Sequence, residues 1–171
     1  MGDSLRQVHF ERLANSSYQV HNARGGSITV GSGGADTDFT PVELLLAAIG
    51  TCSAIDVDIV VSRRAEPTEF SAVVRGDKVR DAEEGNRMEN LAVEFTVHFP
   101  EGEDGDKARE ALPRAVKMSH DRLCTVSRTV ELGTPVTTTV NDAEGDRPDS
   151  GDVRARVAEV PIVATREDHQ L

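Results

Sequence analysis

Apolar residues cluster in one stretch of this chain, ELLLAAIGTCSAID at residues 43–56, and alternate with polar ones in the segments around it. Residues 6–13 (RQVHFERL) and 16–22 (SSYQVHN) alternate weakly, NARGG at 22–26 makes a turn, and SITV follows. This pattern predicts an N-terminal β-meander. A polar loop, GSGGAD at 31–36, leads to Thr40-Pro41-Val42-Glu43, where Thr40 can cap a helix, Pro41 takes its first position and Glu43 closes a capping box. The helix should run to about Ser62-Arg63-Arg64, where cations suit the negative end of the dipole. Apolar side chains lie on all its faces up to Ile55, which predicts burial nearly all round and a place at the centre of the fold.

Residues 68–80 and 91–99 read as a half-buried antiparallel strand pair joined by an acidic loop at 81–90. A helix is expected over 106–120, kinked or split by Pro113, and a short one over 126–132, stopped by Gly133. PVTTTV at 135–140 predicts a final strand. From Asn141 the chain turns acidic and rich in turn residues, so 1–140 is read as the domain and 141–171 as an acidic C-terminal extension. Within that extension VRARVAEVPIVA alternates enough for an extra edge strand, with a loose, partly disordered tail as the other reading.

Composition narrows the class. The formal charge of −11 disfavours nucleic acid and anionic membrane surfaces as partners, because both would repel it. The unbroken apolar run falls far short of the ~20 residues of a membrane span, and no basic segment followed by an apolar run marks a signal peptide. A cytoplasmic location is the expectation. Thiols stay reduced there, so two cysteines suggest reactivity or burial rather than a structural staple.

Those cysteines are Cys52, inside the apolar helix, and Cys124, in SHDRLCTVSR. A lone cysteine in apolar surroundings is most often a small buried hydrophobe. Both, however, sit at or near helices among small and hydroxyl residues: Gly50, Thr51 and Ser53 at one, Thr125 and Ser127 at the other. Small neighbours let another backbone or a substrate approach closely.

Taken together, TPVELLLAAIGTCSAIDV, a strand pair, and a helix ending in SHDRLCTVSRTVELG resemble the OsmC-like family, which includes the organic hydroperoxide resistance proteins. The resemblance covers roughly residues 15–140. It rests on the Pro-x-Glu helix start, the Cys about nine residues further on, and a second helix followed by Cys-x-Val-Ser. It implies an α+β fold with antiparallel sheets wrapped around two central helices in an intertwined homodimer. It also implies a peroxidase without a cofactor or metal. Cys52 would attack an organic hydroperoxide and become a sulfenic acid, and Cys124 would condense with it to a disulfide that a cellular dithiol reduces.

Ionisation alone would not suffice for such chemistry. An ordinary thiol is about 3% thiolate at pH 7. Lowering its pKa by about two units raises that fraction roughly 25-fold but costs ~6–10-fold in nucleophilicity, if the slope for thiol exchange holds for peroxides. Positioning of the peroxide and stabilisation of the departing alkoxide must supply the rest. By resemblance an N-terminal Arg and a Glu at the start of the central helix do this. Arg24, in the glycine turn, and Glu43 are the candidates. Arg24 can equally be an exposed hairpin residue, and Glu43 has a full structural role as a capping residue. The family's peroxidases carry Asn-Pro-Glu with the Glu ten residues before the Cys. Here Val42 holds that position and Glu43 stands one step on, ~100° around the helix. Asp56, one turn after Cys52, would raise the thiol pKa, opposite to what catalysis needs. His120, Cys124 and Cys52 could supply three zinc ligands, but no second cysteine pair accompanies them.

Two functional readings follow: a peroxidase using Cys52 and Cys124, and a non-catalytic dimer of the same fold that binds a small apolar ligand.

Overall fold

In the computed structural model, which describes residues 4–140, three short strands come first: β1 (Val8–Ala14), β2 (Ser17–Asn22) and β3 (Ser27–Val30). They pair antiparallel in the order β1-β2-β3, the expected meander. Next come α1 (Pro41–Val61), β4 (Glu69–Asp81) and β5 (Gly85–His98), then α2 (Glu103–Met118), a single π-helical turn (Ser119–Leu123) and α3 (Thr125–Leu132). The expected extension at 141–171 lies outside the described residues.

Helix α1 starts where its local chemistry says it should. The Glu43 amide donates to Thr40 Oγ1 at 3.3 Å, and the Thr40 amide donates to Glu43 Oε2 at 2.7 Å. This reciprocal pairing satisfies two donors that the helix start would leave open. Thr40→Ala should cost about 1 kcal/mol in denaturant unfolding with an unchanged m value. At the far end α1 stops at Val61, slightly short of the expected arginines, and Arg64 Nη1 donates back to the Val60 carbonyl at 3.0 Å.

The burial of α1 differs from expectation. Val57 and Val61 are fully buried and form the core with Phe99, Ala108 and Ala115, with Phe70 and Phe95 packed edge to face beside it. Thr51, Ile55, Asp58 and Ile59, which share the opposite face at helical spacing, are exposed, Ile55 by 61%. Among the described residues, β4, α2 and α3 cover one side of α1. As a whole, α1 is also long and apolar enough to cross a membrane, with a mean hydropathy of 2.0 and 28% of the window buried. Counting only its unbroken apolar run understated it. Gly50 sets how near the helix comes to the sheet, since a Cβ there would lie 2.4 Å from Val74 Cγ2.

Strands β4 and β5 form a longer hairpin than expected. The turn shrinks to residues 82–84 because Asp81 Oδ1 accepts from the amides of Glu83 and Glu84 at 2.8 and 2.9 Å. Helix α2 begins three residues before the predicted start and is not split by Pro113, which lies on the exposed side where water can satisfy the freed carbonyl. α3 ends before Gly133, at φ +65°.

The expected strand at 135–140 is absent. The chain divides after Leu132, and the described part of the second unit, residues 133–140, has no regular structure. β-branched residues favour an extended backbone, but a strand also needs an edge to pair with.

Candidate functional site

Cys52 sits in the middle of α1, and Cys124 occupies the joint between the π turn and α3. The joint is tied down on both sides. The Cys124 amide donates to the Ser119 carbonyl at 2.9 Å, and its own carbonyl accepts from the Arg128 amide at 3.0 Å. Ser119 Oγ in turn donates to Asp56 Oδ2 at 2.9 Å, which links α1 to the π turn. Asp56 therefore serves as a structural latch between the two elements.

These connections bring together two thiols that lie 72 positions apart, at 52 and 124. Both are free, and they lie close enough for each to shift the ionisation of the other. Cys124 is fully buried, whereas Cys52 is partly open. The first-turn amides of α3, at Val126 and Thr125, favour the ionised form of the Cys52 thiol. A helix leaves its first amides without internal partners, and the Ser127 amide finds one in Cys124 Sγ at 3.4 Å, so Cys124 caps α3.

Ionisation is ordered differently from the sequence expectation of a low-pKa Cys52 beside a resolving partner. Burial pushes the Cys52 thiol up; the Val126 amide opposes it, the neighbouring Cys124 adds to it, and the net direction is above the ordinary thiol value. Burial also pushes Cys124 up, but hydrogen bonds from the hydroxyls of Ser127 and Ser53, the Ser127 amide and Cys52 outweigh it. The net direction is downward. Ser53 Oγ donates to Cys124 Sγ at 3.3 Å, Ser127 Oγ lies 3.1 Å from that sulfur, and the Ser127 amide donates to it at 3.4 Å. Sequence reasoning noticed these serines only as small neighbours. Their positions beside the two cysteines were the available signal.

The other two candidates do not join the thiols within one chain. Glu43 Oε2 is taken up by the Thr40 amide and hydroxyl, the amide first, which holds its carboxyl below the usual range. Arg24 stands in the exposed β2–β3 turn, its amide donating to Asn22 Oδ1 at 2.8 Å. The hydrogen bonds that Cys124 Sγ accepts come from Ser53 and Ser127 rather than from a guanidinium. His120 pairs with Glu131 at 3.4 Å.

Beside the pair lies a cavity of about 400 Å³. Leu91, Val93 and Phe95 of β5 and Val116 of α2 give it an apolar wall, Ser53 and Ser127 line it next to Cys124, and the His120–Glu131 pair adds a polar edge.

Comparison with known proteins agrees with this architecture. Uncharacterized proteins of Mycobacterium tuberculosis and Mycobacterium bovis are 30% identical over 138 residues, covering 81% of this chain and 98% of theirs. A hypothetical protein from Aquifex aeolicus has a similar structure, with a TM-score of 0.61 at 24% identity over 77% of this chain and 90% of that one. So does an OsmC-like protein of unknown function from Vibrio cholerae, with a TM-score of 0.63 at 12% identity over 75% and 94%. An organic hydroperoxide resistance protein OsmC of Legionella pneumophila is more distant, at 0.51 and 14% over 76% and 91%. Both the fold, a mixed α+β arrangement of antiparallel sheets and three helices, and a match to the description "OsmC-like protein" over residues 33–139 lead to one assignment: the chain belongs to the OsmC-like family.

Proposed function

We propose that this protein is a thiol-dependent peroxidase that reduces organic hydroperoxides through Cys52 and Cys124. The observation that carries the proposal is the convergence of two reduced thiols, one partly open and one buried, near enough to shift each other's ionisation. The Cys52 thiolate attacks the terminal oxygen of the hydroperoxide and the O–O bond breaks. The alkoxide takes a proton and leaves as the alcohol, and Cys52 becomes a sulfenic acid. Cys124 then attacks the Cys52 sulfur, the hydroxyl departs as water and a disulfide forms. A cellular dithiol reduces that disulfide and becomes oxidised in turn, which suits a cytoplasmic setting. Within one chain, the α3 amides at Val126 and Thr125 stabilise negative charge on Cys52.

The functional unit in this reading is a homodimer. The exposed stripe of Ile55 and Ile59 on α1 and the open faces of Val8, Phe10 and Leu13 on β1 are apolar surface that a second copy would cover. Arg24 and Glu43 would enter the chemistry across that contact. The proposal includes no nucleic acid or membrane partner.

Reduced protein should consume cumene hydroperoxide when dihydrolipoamide is supplied. Brief peroxide exposure without reductant should lower the intact mass by two hydrogens per chain. Undiminished peroxide would reject the reading. The apolar cavity favours a second reading, a non-catalytic protein that binds a small apolar ligand. Slow, unselective oxidation together with saturable binding of a fatty acid would support it.

A further inference from the structure

We propose that Ser127 is the exit for the Cys124 proton during disulfide closure, passing it across the neighbouring cavity to His120, which Glu131 orients. The inference rests on the peroxidase reading for its setting. It concerns the second step, in which Cys124 must lose its proton to attack the Cys52 sulfur.

The position of Cys124 sets the problem. The residue is fully buried, so bulk water does not meet its sulfur, and a thiol is a poor nucleophile until it ionises. Cys124 Sγ donates to Ser127 Oγ at 3.1 Å and approaches the Ile49 carbonyl at 4.0 Å. A carbonyl accepts but has no proton to pass on, whereas a hydroxyl accepts one proton while giving up another. Cys52, the remaining neighbour, is the oxidised sulfur at this step and is no base. Ser53 Oγ and the Ser127 amide donate to the Cys124 sulfur at 3.3 and 3.4 Å, which suits them to hold its negative charge once the proton has gone. Ser127 thus has a role that Ser53 does not share.

Ser127 lines the cavity of about 400 Å³, and so do His120 and Glu131. His120 belongs to the π turn, a conformation that is frequent at functional sites. Its Nδ1 lies 3.4 Å from Glu131 Oε1, and Arg128 Nη1 binds the other carboxylate oxygen at 2.6 Å. With both oxygens engaged the carboxylate is fixed, which favours a proton on Nδ1 and leaves Nε2 to accept. The cavity has room for water between hydroxyl and imidazole, with Ser53, Ser127, His120 and Glu131 as its polar partners. Other charged groups near His120 are engaged: Lys117 donates to Asp121 at 2.6 Å, and Asp56 accepts from Ser119. The β5 wall, Leu91, Ala92, Val93 and Phe95, carries no titratable group. In closure the Cys124 proton moves to Ser127 Oγ while the hydroxyl proton moves through cavity water to His120 Nε2. The Cys124 thiolate attacks the Cys52 sulfenic sulfur, which is reduced as Cys124 is oxidised, and the S–OH bond breaks. The departing hydroxide takes a proton from the imidazolium, so disulfide and water are the products and His120 is neutral again.

Closure with an aromatic disulfide, dithiobis(nitrobenzoate), tests this on the full chain without any peroxide. The reagent forms a mixed disulfide at the partly open Cys52 and releases one coloured thiolate; attack by Cys124 then releases a second and closes the Cys52–Cys124 bond. In Ser127→Ala the second release should slow about 10-fold at an unchanged first release, and it should recover in Ser127→Thr, which keeps the hydroxyl. In the wild type the second release should quicken as pH rises through the imidazole range of about 5 to 8, because only the neutral ring accepts a proton. His120→Gln should lose that rise. The His120 side chain is 68% exposed, so this variant keeps the fold and stands as a test independent of the serine variants. A second release indifferent to Ser127→Ala, or a pH rise that survives in His120→Gln, would overturn the relay. Wild-type protein that closes with this reagent as described but consumes no hydroperoxide would instead sink only the peroxidase reading.

Discussion

Cys52→Ser protein should reduce organic hydroperoxide no faster than buffer, whereas Cys124→Ser should still oxidise once and then stop. The two sulfurs are not equivalent, because Cys52 is open to solvent and Cys124 is fully buried. A serine at 52 removes the only sulfur a peroxide can reach, and its hydroxyl stays protonated at neutral pH. A serine at 124 leaves the nucleophile but removes the partner that completes the disulfide. Intact mass should then gain one oxygen rather than lose two hydrogens. A Cys52→Ser variant that retains turnover would mean that the reacting sulfur has been misidentified.

Gly105→Ala should destabilise the fold by about 3 kcal/mol, lowering the melting temperature by about 6–12 °C. Helix propensity alone predicts the opposite sign, since alanine is favoured over glycine in a helix interior by about 1 kcal/mol. The steric term should win because a Cβ at Gly105 would lie 1.9 Å from the Pro100 carbonyl oxygen and 3.0 Å from its carbon. Both are backbone atoms, so no side chain can rotate aside. Residues 99 and 100 are also held from the other side, their carbonyls accepting from Arg109 Nη1 at 3.2 and 3.3 Å. Moving them would disturb Phe99 and the core contact of α2 with α1. Thermal unfolding checks the sign directly, and a stabilised variant would show that the close approach is absent.

Features that depend on neighbours in sequence were legible before folding was considered. The Thr40–Glu43 capping box, the N-terminal meander and the stop of α3 at Gly133 all involve residues a few positions apart, and the structure has each of them. Features that depend on what lies opposite were not. The composition of α1 suggested burial all round, but among the described residues its partners lie on one face, which leaves Ile55 and Ile59 open. Residues 135–140 have strand composition but form no strand among the described residues. Asp56 looked like an electrostatic obstacle until Ser119, on another element, engaged it.

The candidate site divides along the same line. Linear order alone determined that two cysteines sit in helical contexts, each beside a serine, in the pattern of the OsmC-like family. Only the tertiary structure decided that these thiols come near each other, that Glu43 and Arg24 stand apart from them in one chain, and that Ser53 and Ser127 converge on Cys124. The physical reason is that a thiol's ionisation depends on its burial and on the donors within a few ångströms. Here the donors come from α1 and α3, which meet only when the chain folds.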